Sequence, residues 1–244
     1  VELLIVAAVL LTSALSGVFG MGGGLLLMAV YASVLGAPAA MVLHGLTQLW
    51  ANGTRLLLLR SHVRWPVVVR FAMGALLAAA GFAALGVVVD RQFLLLALGV
   101  LPLLSASIPR SRVTLDLRSS KAVAATGLLA GGLQLVSGTA GPVLDLLFAR
   151  SDLDRRGVVG TKAAIQTASH ALKILYFALL AREAAWPHDL SPSILAPIFL
   201  AATLGTHAGR LLLERLDDTT FRRHATRLLV AIGLLLITRG LTAT

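Results

Sequence analysis

Gln48, Asn52 and Arg55 stand at i, i+4 and i+7, and Gln166, His170 and Lys173 repeat that spacing. On a helix each trio lines one face. An amide, a second hydrogen-bond donor and a cation in one line can hold an oxyanion, because N–H groups replace the water around its oxygens while the cation supplies the field. Both trios sit in strongly apolar sequence. A cation at the centre of a bilayer costs about 3 kcal/mol on insertion scales, so an Arg or Lys placed there faces a partner or a cavity. Arg55 is close enough to the basic stretch at Arg60 for its stem to carry the guanidinium to the interface; Lys173 lies far from either end of its apolar segment. Asp145 is the acidic candidate to pair with Lys162 or with Lys173, in which case it is structural, or else to carry a proton. Of the histidines in apolar sequence, His44, His170 and His207, a lone one most often makes a helix contact. His170 stands out because it occupies the place of Asn52 in the second trio.

Each trio follows a glycine-broken apolar stretch: FGMGGG at 19–24 and VSGTAGP at 136–142. Glycine lets a chain reverse and lets a ligand approach the backbone. We expect one helix to stop at each break and another to restart, near Leu25 in the first and at Pro142 in the second, since a first helical position needs no N–H. Restarting helices aim N–H donors and partial positive charge at the break, which suits an anion. The donors expected there are Gly22, Gly23 and Gly24 in the first break and Ser137, Gly138, Thr139 and Gly141 in the second. Ser13 and Ser16 are lesser candidates. The competing use of such glycines is close helix packing.

Composition defines the solvent of these elements. The 244 residues are 57% hydrophobic and 13% charged, with mean hydropathy +0.89, against about 25% charged in soluble domains. The chain is expected to be an integral membrane protein. With no cysteine and only six histidines, none at zinc spacing, no metal or cofactor site is expected. SGTAG is not a GxSxG elbow and no HExxH occurs, so an intramembrane enzyme is not expected. The net charge of +10 lies in short connections between apolar segments, where it sets orientation and does not point to nucleic acid. The apolar run at 3–19 lacks a basic leader and a cleavage site and is read as part of the fold.

Continuous spans are expected at 39–60, 66–89, 92–108, 157–181, 191–213 and 221–240. The two broken regions, 3–35 and 121–149, are each too long for one crossing. If each crosses once, the basic residues around Arg60, Arg64, Arg110, Arg112, Arg118 and Lys121 fall opposite Arg150, Arg155, Arg156, Arg215, Arg222 and Arg223. If 121–149 instead enters and returns as a hairpin, all share one side, leaving chiefly Arg91, Arg182 and Arg239 opposite, as the positive-inside rule requires. A shift of 118 positions overlays Gly20 on Gly138, Gly23 on Gly141 and Gln48 on Gln166; a shift of 128 overlays Phe71 on Phe199 and Gly81 on Gly209. These matches suggest a duplication. The expected fold is therefore all-α: two inverted-topology repeats, each a broken-helix hairpin plus three transmembrane helices. Its parts are 1–109, a basic connection at 110–121, and 122–244. Inverted repeats with broken helices are a transporter architecture with the substrate near the midplane.

The residues that carry this pattern, FGMGGGLLLM, HGLTQLWANGTR with HVRW after it, and GTKAAIQTASHALKILYF, resemble the TauE/SafE sulfite exporter family. The resemblance implies an inner-membrane transporter of sulfite or a related sulfur oxyanion or organosulfonate, with a homodimer compatible with it. An anion channel of the same architecture is the alternative. Basic loops at 60–64, 110–121, 150–156 and 214–223 are expected in the cytoplasm.

Overall fold

In the computed structural model the described residues are 1–19, 23–87, 89–107, 116–148, 151–181, 190–213 and 218–242. Among them are ten α-helices and no strand. They are α1 (Glu2–Phe19), α2 (Gly23–Val34), α3 (Ala37–Leu59), α4 (Trp65–Ala84), α5 (Arg91–Ser107), α6 (Ser120–Ser137), α7 (Gly141–Phe148), α8 (Arg155–Ala181), α9 (Leu195–Leu213) and α10 (Asp218–Thr242). The expected Gly20 and Gly22, and the basic Arg110, Arg112, Arg150, Arg182 and Arg215, lie outside the described residues.

The chain breaks where glycine interrupts it. α2 begins at Gly23, two residues before the expected Leu25, and α7 at Gly141, one before Pro142. Each second helix turns back on its first. A Cβ on Gly23 would collide with the Thr12 carbonyl oxygen of α1, a contact that an unbroken helix, rising about 1.5 Å per residue, could not make across eleven positions. At the outer ends of α6 and α7, Arg118 Nη2 lies 2.9 Å from Asp152 Oδ2, so the two ends of this hairpin are neighbours. The loop between α3 and α4 is beside them in sequence order on α8, where the Arg64 N–H donates to Thr161 Oγ1 at 3.0 Å. Away from these contacts, Arg91 donates to the Ala32 and Ser33 carbonyls at the end of α2, and the Ser191 N–H donates to Glu2 Oε1 at the start of α1.

Four close helix pairs carry the packing: α1 with α9, α3 with α8, α4 with α6, and α5 with α10. Small residues let backbones approach where there is no hydrophobic drive from water. On the α4–α6 seam a Cβ on Gly127 would strike the Phe71 carbonyl oxygen, and on the α1–α9 seam one on Gly209 would strike that of Ala14. Glycine packing, the competing use named above, is thus a real role for these positions, in addition to the breaks. Outward faces carry exposed Leu57, Leu58, Met73, Leu77, Leu129 and Leu179.

By length and hydropathy alone, one described helix, α4, is apolar enough to cross a membrane; Glu2–Ser16, Gly23–Val34, Arg91–Leu101 and Gly233–Thr242 are shorter apolar stretches. Six such spans were expected. The other long helices include α3 and α8, of 23 and 27 residues, whose polar faces lower their mean hydropathy and meet each other in the interior. α4 also ends at Ala84, short of the expected 89. Gly86, at φ 62°, closes it, with the Val87 N–H donating to Phe82 O and the Gly86 N–H to Ala83 O, a Schellman ending that hydropathy does not register.

Gly127→Val should lower the thermal midpoint in detergent, with overpacking costing about 1–3 kcal/mol. Gly81→Ala, where a Cβ meets nothing within 4 Å, should leave the midpoint unchanged or raise it; equal effects from both would refute the seam.

Candidate functional site

The two breaks and the two trio helices meet around Lys173. The residue is on α8 and fully buried, at 0% exposure. Nζ donates to the Gly138 carbonyl at 3.0 Å and to His44 Nδ1 at 2.8 Å. His44, on α3, places Nε2 2.8 Å from the Gly24 carbonyl. A carbonyl only accepts, so Nε2 carries the hydrogen and Nδ1 is the acceptor for Lys173. One amine and one imidazole thus join the end of α6 to the first turn of α2.

Local structure explains the reach. Gly138 caps α6 at φ 74°, with its N–H donating to Gln134 O at 3.0 Å. That left-handed residue turns its carbonyl toward Lys173, and a Cβ there would come 2.6 Å from Met28 Sδ. On α3, Gly45 lets α8 approach closely, since a Cβ would come 2.6 Å from Ile174 Cγ1, the residue beside Lys173. Tyr31 of α2 donates to Thr47 Oγ1 at 3.2 Å and presents its ring edge to His44.

His170 and Gln134 form a second link. The Gln134 amide nitrogen lies 3.0 Å from His170 Nδ1, which makes Nδ1 the acceptor and leaves Nε2 as the protonated nitrogen. The His44 and His170 rings are 5.4 Å apart. On α3 the trio bonds to itself: Asn52 Nδ2 donates to Gln48 Oε1 at 3.3 Å, and Arg55 Nη1 to Asn52 Oδ1 at 3.4 Å. Gln48 also lies beside Gly24, 3.5 Å from where its Cβ would be. Arg55 and Gln166 are half-buried.

Several expectations change here. Gly138 is not a backbone donor to a ligand, because its N–H closes α6; it contributes an acceptor. Thr139 and Ser137 are buried at the second break, and Ser137 Oγ donates to Leu133 O at 2.8 Å while lying 3.0 Å from Thr139 O. At the restart of α7, Ala140 O accepts from the Val143 and Leu144 N–H groups. Asp145 pairs with Lys162, not with Lys173. His207 is exposed on α9. His44 and Gln134 were left off the expected site. Each had a signal, as a polar residue in an apolar run four positions before Gln48 or before Gly138, but not one that named its partner.

No carboxylate of the described residues lies within ion-pair distance of Lys173, and no group of three metal-ligating side chains occurs among them. The site can therefore supply cationic and N–H donors to a small anion. The family model of the sulfite exporter TauE/SafE matches residues 5–236, from α1 into α10. No curated protein and no solved structure matches the chain.

Gly138→Ala should cost about 1–2 kcal/mol from the left-handed backbone alone, read as a lower unfolding temperature. For the Lys162–Asp145 pair, with side chains 17% and 11% exposed, Asp145→Ala should destabilise by up to about 3 kcal/mol by stranding a cation. The double replacement Asp145→Leu with Lys162→Met should recover much of that loss; an additive double mutant would show that the two are not coupled.

Proposed function

Since the chain belongs to the sulfite exporter TauE/SafE family, and so to the membrane transporters of sulfur anions and not to the enzymes, we propose that it exports sulfite or a related sulfur oxyanion or organosulfonate held at the membrane midplane between its two helix breaks. The observation that carries this is Lys173: a buried amine, tied to both breaks, with only neutral acceptors about it. A positive charge on it is costly unless a partner arrives, and a compact, acceptor-rich anion is the partner the donors fit. Gly23, Gly24 and Gly141 would supply backbone donors, joined by Gly22. Gln48, Asn52, Gln166 and His170 would bind the oxygens, Ser137 and Thr139 would line the second break, and Arg55 would add to the field. Gly138 acts by holding Lys173.

The inverted-repeat architecture, with parts 1–109, 110–121 and 122–244, is supported by the packing. Exchanging α1–α5 for α6–α10 turns the α1–α9 pair into α6–α4 and returns α3–α8 and α5–α10 to themselves. The hairpin contact of Arg118 with Asp152, and that of Arg64 with α8, support a single cytoplasmic face for the basic loops. Rocking one repeat against the other would then expose the site alternately. Burial of His44, Asn52, His170 and Lys173 favours a carrier over a channel, whose lining would be open to water.

Thermal-shift titration of purified protein with sulfite, thiosulfate, sulfate and a small organosulfonate tests the assignment. A saturable rise for at least one sulfur anion is expected in the wild type and its loss in Lys173→Met, while folded protein that answers to none of them would sink it. Counterflow in liposomes should follow for a carrier; its absence alongside conductive flux would establish the channel.

A further inference from the structure

Lys173 has hydrogen-bond partners for two N–H groups. Gly138 O and His44 Nδ1 take one hydrogen each, and the other side of His44 is committed to Gly24 O. A neutral amine has two N–H bonds and one lone pair, so it satisfies both acceptors and leaves the lone pair over. An ammonium has a third N–H, and no described residue accepts it. A proton added to the lone pair therefore creates, at one atom, both the positive charge and the donor that an anion would meet.

The surroundings single out this atom. On α8 itself, His170 is neutral toward Lys173 through its bond to Gln134, and Lys162 is closed by Asp145 of α7. From α3, His44 cannot accept a second proton without turning Nδ1–H against the lysine nitrogen; Arg55 is bonded to Asn52 further along the helix. From α2, Tyr31 donates to Thr47. The one ionisable side chain of α4 is Arg70, about one and a half turns from the basic loop; α6 brings Gln134 and Ser137, whose hydroxyl is bonded to Leu133 O, while its Lys121 lies exposed in the first turn. Every other ionisable group named here already has a partner or lies toward the loop.

We propose that Lys173 is the binding site of a second transported species, a proton, taken up together with the anion so that each dianion crosses as a net monovalent unit. This rests on the anion site proposed above. Protonation requires the anion, because a charged amine with no acceptor is unfavourable in the interior, and the anion requires the proton, because without it the site lacks its central charge. The two bind cooperatively and leave together, giving movement of proton and anion in the same direction. His44 is a positioning residue, holding Nζ and never itself carrying the proton.

Proteoliposomes with a trapped pH dye and radiolabelled thiosulfate, an anion fully deprotonated at neutral pH, test this directly. In the wild type the lumen should acidify in step with thiosulfate entry, at one proton per anion. Lys173→Arg, which cannot release its proton, should still exchange thiosulfate for thiosulfate but lose the acidification. His44→Gln keeps an acceptor for Nζ and a donor for Gly24 O, and should stay coupled. Entry without acidification in the wild type would overturn the proton site while leaving the anion site standing, as would acidification retained in Lys173→Arg. Loss of acidification in a transporting His44→Gln would move the proton to the histidine and overturn the assignment to Lys173. No thiosulfate entry in folded wild type would remove the anion reading for this probe and the proton proposal with it. Size-exclusion profiles establish folding of each variant, and if Lys173→Arg does not fold, the wild-type ratio and His44→Gln still decide.

Discussion

A helix that stops inside an apolar interior must hand its terminal carbonyls and N–H groups to protein partners, since no lipid can bond them. Two breaks of this chain leave such groups, and Lys173 and His44 bond one beside each: the lysine donates to the Gly138 carbonyl just past the end of α6, and the histidine to the Gly24 carbonyl in the first turn of α2. Much else follows from this demand. Gly138 must be left-handed to turn its carbonyl inward, Gly45 must be small for Ile174 of α8 to pack against it, and α3 and α8 must lie side by side so that one chain of hydrogen bonds can join both breaks.

Two lysines of α8 meet the cost of burial in opposite ways. Lys162 has a carboxylate on α7 and forms a closed pair that fastens the short returning helix. Lys173, about three turns on, has only a carbonyl and an imidazole. A paired charge anchors; an amine with no counterion is available. The difference lies wholly in which helix faces each residue, since both are lysines on one helix in similar apolar sequence.

Glycine likewise serves two ends. At Gly138 it allows the chain to turn, and at Gly23, Gly127 and Gly209 it lets neighbouring backbones touch. The four close pairs so formed make the frame against which the broken hairpins are set, and their exchange symmetry is the packing counterpart of the matched breaks and trios in the two halves. That frame faces outward with leucine and methionine, as a protein in lipid must.

What the amino-acid sequence determined is whatever depends on spacing along one helix or on composition: apolar helices, two breaks within a few residues of their true positions, two polar trios on single faces, and membership of a family whose motifs are local. Hydropathy overran the end of α4 because Val87 and Val89 are as apolar as the helix before them, while the left-handed Gly86 that ends it is a backbone matter. Tertiary structure alone decided which polar groups meet. Asp145 had two lysines within reach and took Lys162; Gly138, expected to offer its N–H, offers its carbonyl; and His44 and Gln134 became partners of Lys173 and His170 across 129 and 36 positions of chain. Hydrogen bonds act over about 3 Å, and no sequence interval sets a distance that short between separate helices.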